Sequence, residues 1–129
     1  MNENKIVLDA SAILALFNEE SGYEQVEQTL PKACISSVNL AEVVSKLTEK
    51  GFNRTQIELI LAKLKLETFN FDPEQAIIAG LLRTETKNLG LSLGDRACLS
   101  LAIVKKIPVL TADQAWLNLN LSIDIYTIR

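Results

Sequence analysis

The chain has 129 residues, 48% hydrophobic and 22% charged, with a formal net charge of −3 from 13 basic and 16 acidic side chains. Length and composition suit one ordinary globular domain with its own core, no apolar stretch nears the roughly 20 residues a bilayer span needs, and the acidic balance argues against a module that merely coats nucleic acid. The lack of any histidine removes Ser-His-Asp and Cys-His triads, His-based zinc hydrolases and imidazole acid–base chemistry, which leaves carboxylates, lysine or water activated by a metal.

Met1-Asn2-Glu3-Asn4-Lys5 has neither the basic region nor the long apolar run of a secretion signal, so a cytoplasmic protein is expected. Ile6-Val7-Leu8 reads as a buried strand that ends on Asp9. Ser11 to Phe17 reads as a short helix and Gly22 to Leu30 as another, stopped by Pro31. Ala33-Cys34-Ile35 is a second short strand. Leu40, Val43, Val44 and Leu47 follow the i, i+3, i+4, i+7 spacing of an amphipathic helix that Gly51 ends, and Ile57, Ile60, Leu61 and Leu64 repeat the pattern. A helical hairpin is expected there. Glu67 to Phe71 alternates as a half-exposed edge strand. Pro73 opens a helix to about Lys87, with Gly90 beyond its end. Ser92 to Lys105 reads as a helix apolar on most sides, hence buried. Pro108-Val109-Leu110 is a fourth strand, a short helix follows near Ala115-Trp116, and Ile123 to Ile128 is the last strand. Cys34 and Cys98 lie inside apolar segments and read as buried reduced thiols. The few aromatics form no base-stacking array and read mostly as core. Alternating strands and helices predict an α/β fold, a parallel sheet with helices on both faces.

In such sheets a site forms at the carboxyl ends of the strands. Four acids fall at or just beyond that edge: Asp9 after the first strand, Glu42 early in the helix after the second, Asp95 at the start of the buried helix, and Asp113 after the fourth strand. Each has a plainer use. Ser92-x-x-Asp95 fits a capping box, Asn39-x-x-Glu42 a looser one, and Asp9 and Asp113 can cap the helices that follow them. Four independent caps have no reason to converge on one edge, however, and capping also fixes a carboxylate's direction. An ionised carboxylate at a buried strand end is costly without a positive partner, and no lysine or arginine lies within three residues beyond Asp9. Four oxygen donors without histidine suit a hard cation, Mg²⁺ or Mn²⁺. Setting those four acids aside leaves the rest of the chain with one net positive charge. Ser11 and Thr111, each two residues from an acid, are expected to support the carboxylates or a bound water, with local backbone bonding as the alternative. Lys46, Lys50 and Arg96 are candidates to meet substrate phosphates or to orient the acids, and Lys46 could instead pair with Glu42 one turn away.

Four stretches carry a resemblance: Val7-Leu8-Asp9-Ala10-Ser11-Ala12, Ser36-Ser37-Val38-Asn39-Leu40-Ala41-Glu42-Val43, Leu91-Ser92-Leu93-Gly94-Asp95-Arg96-Ala97-Cys98-Leu99 and Val109-Leu110-Thr111-Ala112-Asp113. With these in view the chain resembles the PIN-domain ribonucleases and, more narrowly, the VapC toxins of bacterial toxin–antitoxin pairs. The resemblance covers essentially the whole chain, so residues 1–129 are expected to form one PIN-like domain. It implies a three-layer α/β/α sandwich around a central parallel sheet. It also implies a Mg²⁺ or Mn²⁺ site with Asp9 and Asp95 as principal ligands and Glu42 and Asp113 completing the acidic pocket. The implied activity is endonucleolytic cleavage of RNA. The implied partners are a second copy of the chain, as a homodimer, and a cognate antitoxin protein, for which the hairpin between Asn39 and Leu64 is a candidate clamp. Two other uses of the fold stay open: a housekeeping RNA-processing nuclease without antitoxin, which the short length disfavours, and a non-catalytic interaction module, which would not need all four acids. A phosphatase of the haloacid-dehalogenase type would want an acid where Ser11 stands, and no P-loop motif is present.

Overall fold

The structure, a computed structural model, describes residues 4–129. The expected leaderless start falls largely on residues 1–3, which lie outside the described residues. Five short strands, β1 (Ile6–Leu8), β2 (Ala33–Ser36), β3 (Glu67–Phe69), β4 (Val109–Thr111) and β5 (Ile125–Thr127), form one sheet in the order β3-β2-β1-β4-β5. Every pairing is parallel. β1 is buried on both faces, as its unbroken Ile-Val-Leu run requires. β3 and β5 are the edges, and both are partly exposed.

The helices are α1 (Ala10–Phe17), α2 (Tyr23–Thr29), α3 (Ser37–Glu49), α4 (Arg54–Leu64), α5 (Pro73–Leu81), α6 (Arg83–Thr86) and α7 (Leu93–Lys105). Side chains alternate across each strand, and the core divides accordingly. On one face Ile6, Leu8, Ile35 and Leu110 pack with Ile13, Val26, Val43, Leu47 and Ile57 from α1 to α4. On the other, Val7, Cys34 and Val109 pack with Leu82, Cys98, Leu99, Leu101 and the fully buried Trp116. The result is the three-layer α/β/α sandwich. Both cysteines are buried and free, as expected. Burial lifts the Cys34 thiol to about 11.

Several boundaries differ from the sequence reading for physical reasons. Helix α1 starts one residue early because Asp9 itself is its N-cap. Pro31 does not simply stop α2; it sits in a 3₁₀ turn, Leu30–Lys32, that delivers the chain into β2. The helix expected from Pro73 to Lys87 breaks after Leu81. The Leu82 carbonyl receives both the Thr86 amide (3.0 Å) and the Thr86 hydroxyl (2.9 Å), and a 3₁₀ turn over Lys87–Leu89 ends at Gly90. The segment after β4 is a 3₁₀ helix, Gln114–Asn118. Among the aromatics expected in the core, Phe52 and Tyr126 are exposed. Gly22 has a φ of +91°, and a Cβ there would lie 2.0 Å from the Ile128 carbonyl oxygen. Only glycine lets the start of α2 close against the end of the chain.

Candidate active site

The strand order reverses between β1 and β4, since β1 is followed outward by β2 on one side and β4 leads outward to β5 on the other. Parallel α/β sheets open a crevice at such a point, beyond the carboxyl ends of the strands. The register pairs Leu8 with Leu110. Continuing one residue past Leu8 and one past Leu110 brings Asp9 beside Thr111, whose hydroxyl donates to Asp9 Oδ2 at 2.7 Å.

Asp9 is 3% exposed. Its Oδ1 accepts from the Ala12 amide at 3.0 Å as the α1 cap. The Ser11 hydroxyl reaches both carboxylate oxygens, at 2.8 and 2.9 Å. Ser11 Oγ in turn accepts from the Ala112 amide (3.0 Å), and Thr111 Oγ1 from the Asp113 amide (3.1 Å). With each hydroxyl's acceptor side engaged, its proton is left for Asp9. Every donor to Asp9 is neutral, and among the described residues no ion pair includes it. Burial therefore wins over the hydrogen bonds and raises its pKa from 3.8 to about 6, with a smaller contribution from the charge of Asp95.

Asp95 lies in the first turn of α7. The capping box is realised: Asp95 N–H donates to Ser92 Oγ (3.1 Å), and the Ser92 amide donates to Asp95 Oδ2 (2.9 Å). Glu42 projects from α3 onto the start of α7. Its Oε1 accepts from Asn39 Nδ2 at 2.8 Å, and its carboxylate rests against Gly94, where a Cβ would lie 2.3 Å from Oε2. The looser capping box expected at Asn39 is absent because Ser36 caps α3 instead, accepting from the Val38 amide. Asn39 is buried, and its amide also donates to the Gly94 carbonyl at 3.0 Å.

Asp9, Glu42 and Asp95 line one cavity of about 400 Å³ between α1, α3 and α7, together with Ser11, Lys46 and Glu49. Cys98, one turn beyond Asp95, lies beneath them. Its thiol is pushed well above the usual range, first by burial and then by Asp9, Asp95, Cys34 and Glu42. Asp113 stands apart. It caps the 3₁₀ helix through the Ala115 amide (3.0 Å) and lines an adjoining depression that shares Ser11 with the first cavity. Thr111 links it to Asp9 through the Asp113 amide. No three carboxylates or thiols among the described residues stand as a finished ion cage. Like charges lining a cavity repel one another, and here separate donors hold them. The donor set is all oxygen, and Asp9 is a buried carboxylate that pairs with no Lys or Arg among the described residues, so these residues fit a hard divalent ion.

The basic candidates separate. Lys46 lines the cavity but pairs with Glu49 (3.6 Å) rather than Glu42. Lys50 donates to Asn18 Oδ1. Arg96 turns away from the acids: its Nη1 donates to the Ala79 carbonyl of α5 at 2.9 Å. It ties α7 to α5 rather than orienting the site. Sequence reasoning missed Asn39 and Gly94 as parts of the site and Glu49 on its wall. The usable signal was helical spacing, since Asn39, Glu42 and Glu49 share one face of α3.

The family profile described as "PIN domain" matches residues 6–120. The chain belongs to the PIN-domain family. No curated protein gives a significant match. Among solved structures this PIN domain is similar to a DNA-bound VapBC from Salmonella typhimurium (22% identity, TM-score 0.74, 97% of this chain and 98% of that one). It is also similar to a toxin–antitoxin complex from Klebsiella pneumoniae (19%, TM-score 0.77, 97% and 98%) and to VapBC-5 from Mycobacterium tuberculosis (22%, TM-score 0.69, 96% and 98%). At these identities the likeness is one of fold, and it extends over nearly the whole of each chain.

Proposed function

We propose that this PIN domain is a Mg²⁺- or Mn²⁺-dependent endoribonuclease acting as the toxin of a toxin–antitoxin pair. The observation that carries the reading is the cavity that Asp9, Glu42 and Asp95 share at the sheet's switch point, with Asp9 buried and in no ion pair among the described residues. Asp9, Asp95 and Glu42 would hold the ion, and Asp113 would add its charge from the adjoining depression. A bound Mg²⁺ or Mn²⁺ would supply an activated water and offset negative charge developing on the phosphodiester.

The chain's own residues prepare that chemistry. Ser11 and Thr111 fix the Asp9 carboxylate with neutral donors, so its negative charge is not cancelled. The Ser92 cap directs Asp95, and Asn39 with Gly94 seats Glu42. Lys46 lines the cavity wall, from which it would meet a backbone phosphate. The toxin assignment is supported by full-length likeness to chains from VapBC complexes. The proposed partners are RNA, a cognate antitoxin and a second copy of the chain as a homodimer. The antitoxin is proposed to seat on the α3–α4 hairpin, where Val44, Phe52, Ile57 and Leu61 line a groove of about 530 Å³. Charge swaps on that face that leave antitoxin binding unchanged would refute the seat. No described helix is long and apolar enough to cross a membrane, and cytoplasmic action is part of the proposal.

The test is cleavage of a panel of cellular RNAs with Mg²⁺ or Mn²⁺, wild type against Asp9→Asn. Cleavage by the wild type that a chelator stops and the substitution abolishes is expected. Full activity in the variant or with chelator present would overturn the mechanism.

A further inference from the structure

Of the three acids proposed to hold the ion, Asp9 and Asp95 take part in helix caps and Glu42 does not, so something else must hold its longer, freer side chain. We propose that Asn39 is a positioning residue, which clamps the Glu42 carboxylate to the start of α7 and thereby sets Glu42 against Asp95. The inference rests on the metal-dependent reading above and concerns how that site is built.

Asn39 is 1% exposed. Its Nδ2 bridges Glu42 Oε1 at 2.8 Å and the Gly94 carbonyl at 3.0 Å. Both partners are acceptors there, so the amide orientation is fixed: a flipped Asn39 would set its own oxygen against two others. Both amide protons are then used. One partner is the residue directly before Asp95, so the bridge couples Glu42 to the turn that carries the next acid. Gly94 leaves the room that the same carboxylate occupies, because a Cβ there would fall 2.3 and 2.7 Å from the two Glu42 oxygens. Asn39 Oδ1 is buried with no hydrogen-bond partner among the described residues. Leucine, of the same branched shape though larger, would leave no such oxygen buried. A half-satisfied amide kept inside the fold, with its satisfied half aimed at a site carboxylate, is what a positioning role leaves behind.

The test is a double-mutant cycle read by Mn²⁺ titration, on wild type, Asn39→Leu, Glu42→Gln and the double variant. Asn39→Leu is expected to weaken Mn²⁺ binding about 10-fold or more. In the Glu42→Gln background the same change should cost little further, because the group it acts through has lost its charge. With RNA, kcat should fall while KM stays near the wild-type value. If Asn39→Leu fails to fold, Gly94→Ala disturbs the same carboxylate directly and should show the same dependence on Glu42. Unchanged Mn²⁺ affinity in Asn39→Leu, or a loss that simply adds to that of Glu42→Gln, overturns the positioning role alone. A wild-type chain that binds no Mn²⁺ overturns the nuclease reading and this one with it.

Discussion

Removing the charge of Asp9 should make the metal-free protein more stable while destroying its function. An ordinary aspartate titrates near 3.8, and Asp9 in the fold at about 6. That gap corresponds to about 3 kcal/mol of folding free energy at neutral pH. The sign follows from where the proton binds. As pH rises through 3.8 the unfolded chain releases it first, so the folded state loses ground until Asp9 itself ionises near 6. The stabilising contribution of the protonated group is full below about pH 4 and gone above about pH 6. Asp9→Asn has no such titration. It sacrifices part of the hydrogen bonding, because an amide nitrogen replaces one oxygen that now accepts from Ser11 or Thr111, at about 1 kcal/mol. A net gain of about 2 kcal/mol is expected at pH 7.5 in chelator, or roughly 8 °C in Tm for a chain of this size. The assay is thermal unfolding of both proteins from pH 3.5 to 8. The variant should melt below the wild type at the acid end, cross it between about pH 4 and 5, and run parallel above it beyond about pH 6. Saturating Mn²⁺ should stabilise the wild type and leave the variant almost unmoved. An Asn variant no more stable than wild type at pH 7.5 would refute the claim that Asp9 is a buried, uncompensated charge.

Three further outcomes follow from the same contacts. Thr111→Val removes a donor to Asp9 and the acceptor of the Asp113 amide, so denaturant titration at pH 7.5 should show a loss of about 1.5–3 kcal/mol and Mn²⁺ titration a weaker site. Gly94→Ala pushes the end of a flexible Glu42 side chain rather than backbone, and alanine favours the helix by up to about 1 kcal/mol; Tm should therefore stay close to wild type while Mn²⁺ affinity falls. Arg96→Met breaks only the bond to the Ala79 carbonyl, so it should cost about 1 kcal/mol in a urea melt and leave the kcat of RNA cleavage unchanged.

How much of this was legible in the sequence differs from residue to residue. Asp9 was readable because an acid ending an apolar strand is costly anywhere, and parallel pairing of β1 with β4 leaves few places for it but the switch point. The cap at Asp95 was local, and Ser92 realises it. Glu42 was readable from its place early in the helix after β2, but the bond that holds it was not. Asn39 meets Gly94 across 55 residues, a contact made by packing α3 on α7. Adjacency in sequence is not adjacency at the site: successive helical residues lie about 100° apart, and Arg96, next to Asp95, bonds the Ala79 carbonyl of α5. The break after Leu81 has Gly80 beside it, but a lone glycine within a helical pattern is a weak stop signal. The break arises because Leu82 is buried while Leu81 is 71% exposed, a choice made by the core.

Three of the four acids also grip backbone amides: Asp9 holds Ala12, Asp95 holds Ser92, and Asp113 holds Ala115. The protein thus carries its own indicators of occupancy. Any cation drawn to these carboxylates must compete with amide protons for the same oxygens. Those three N–H groups, at the starts of three separate helical segments, will register its arrival as a change in their environment before any RNA is present.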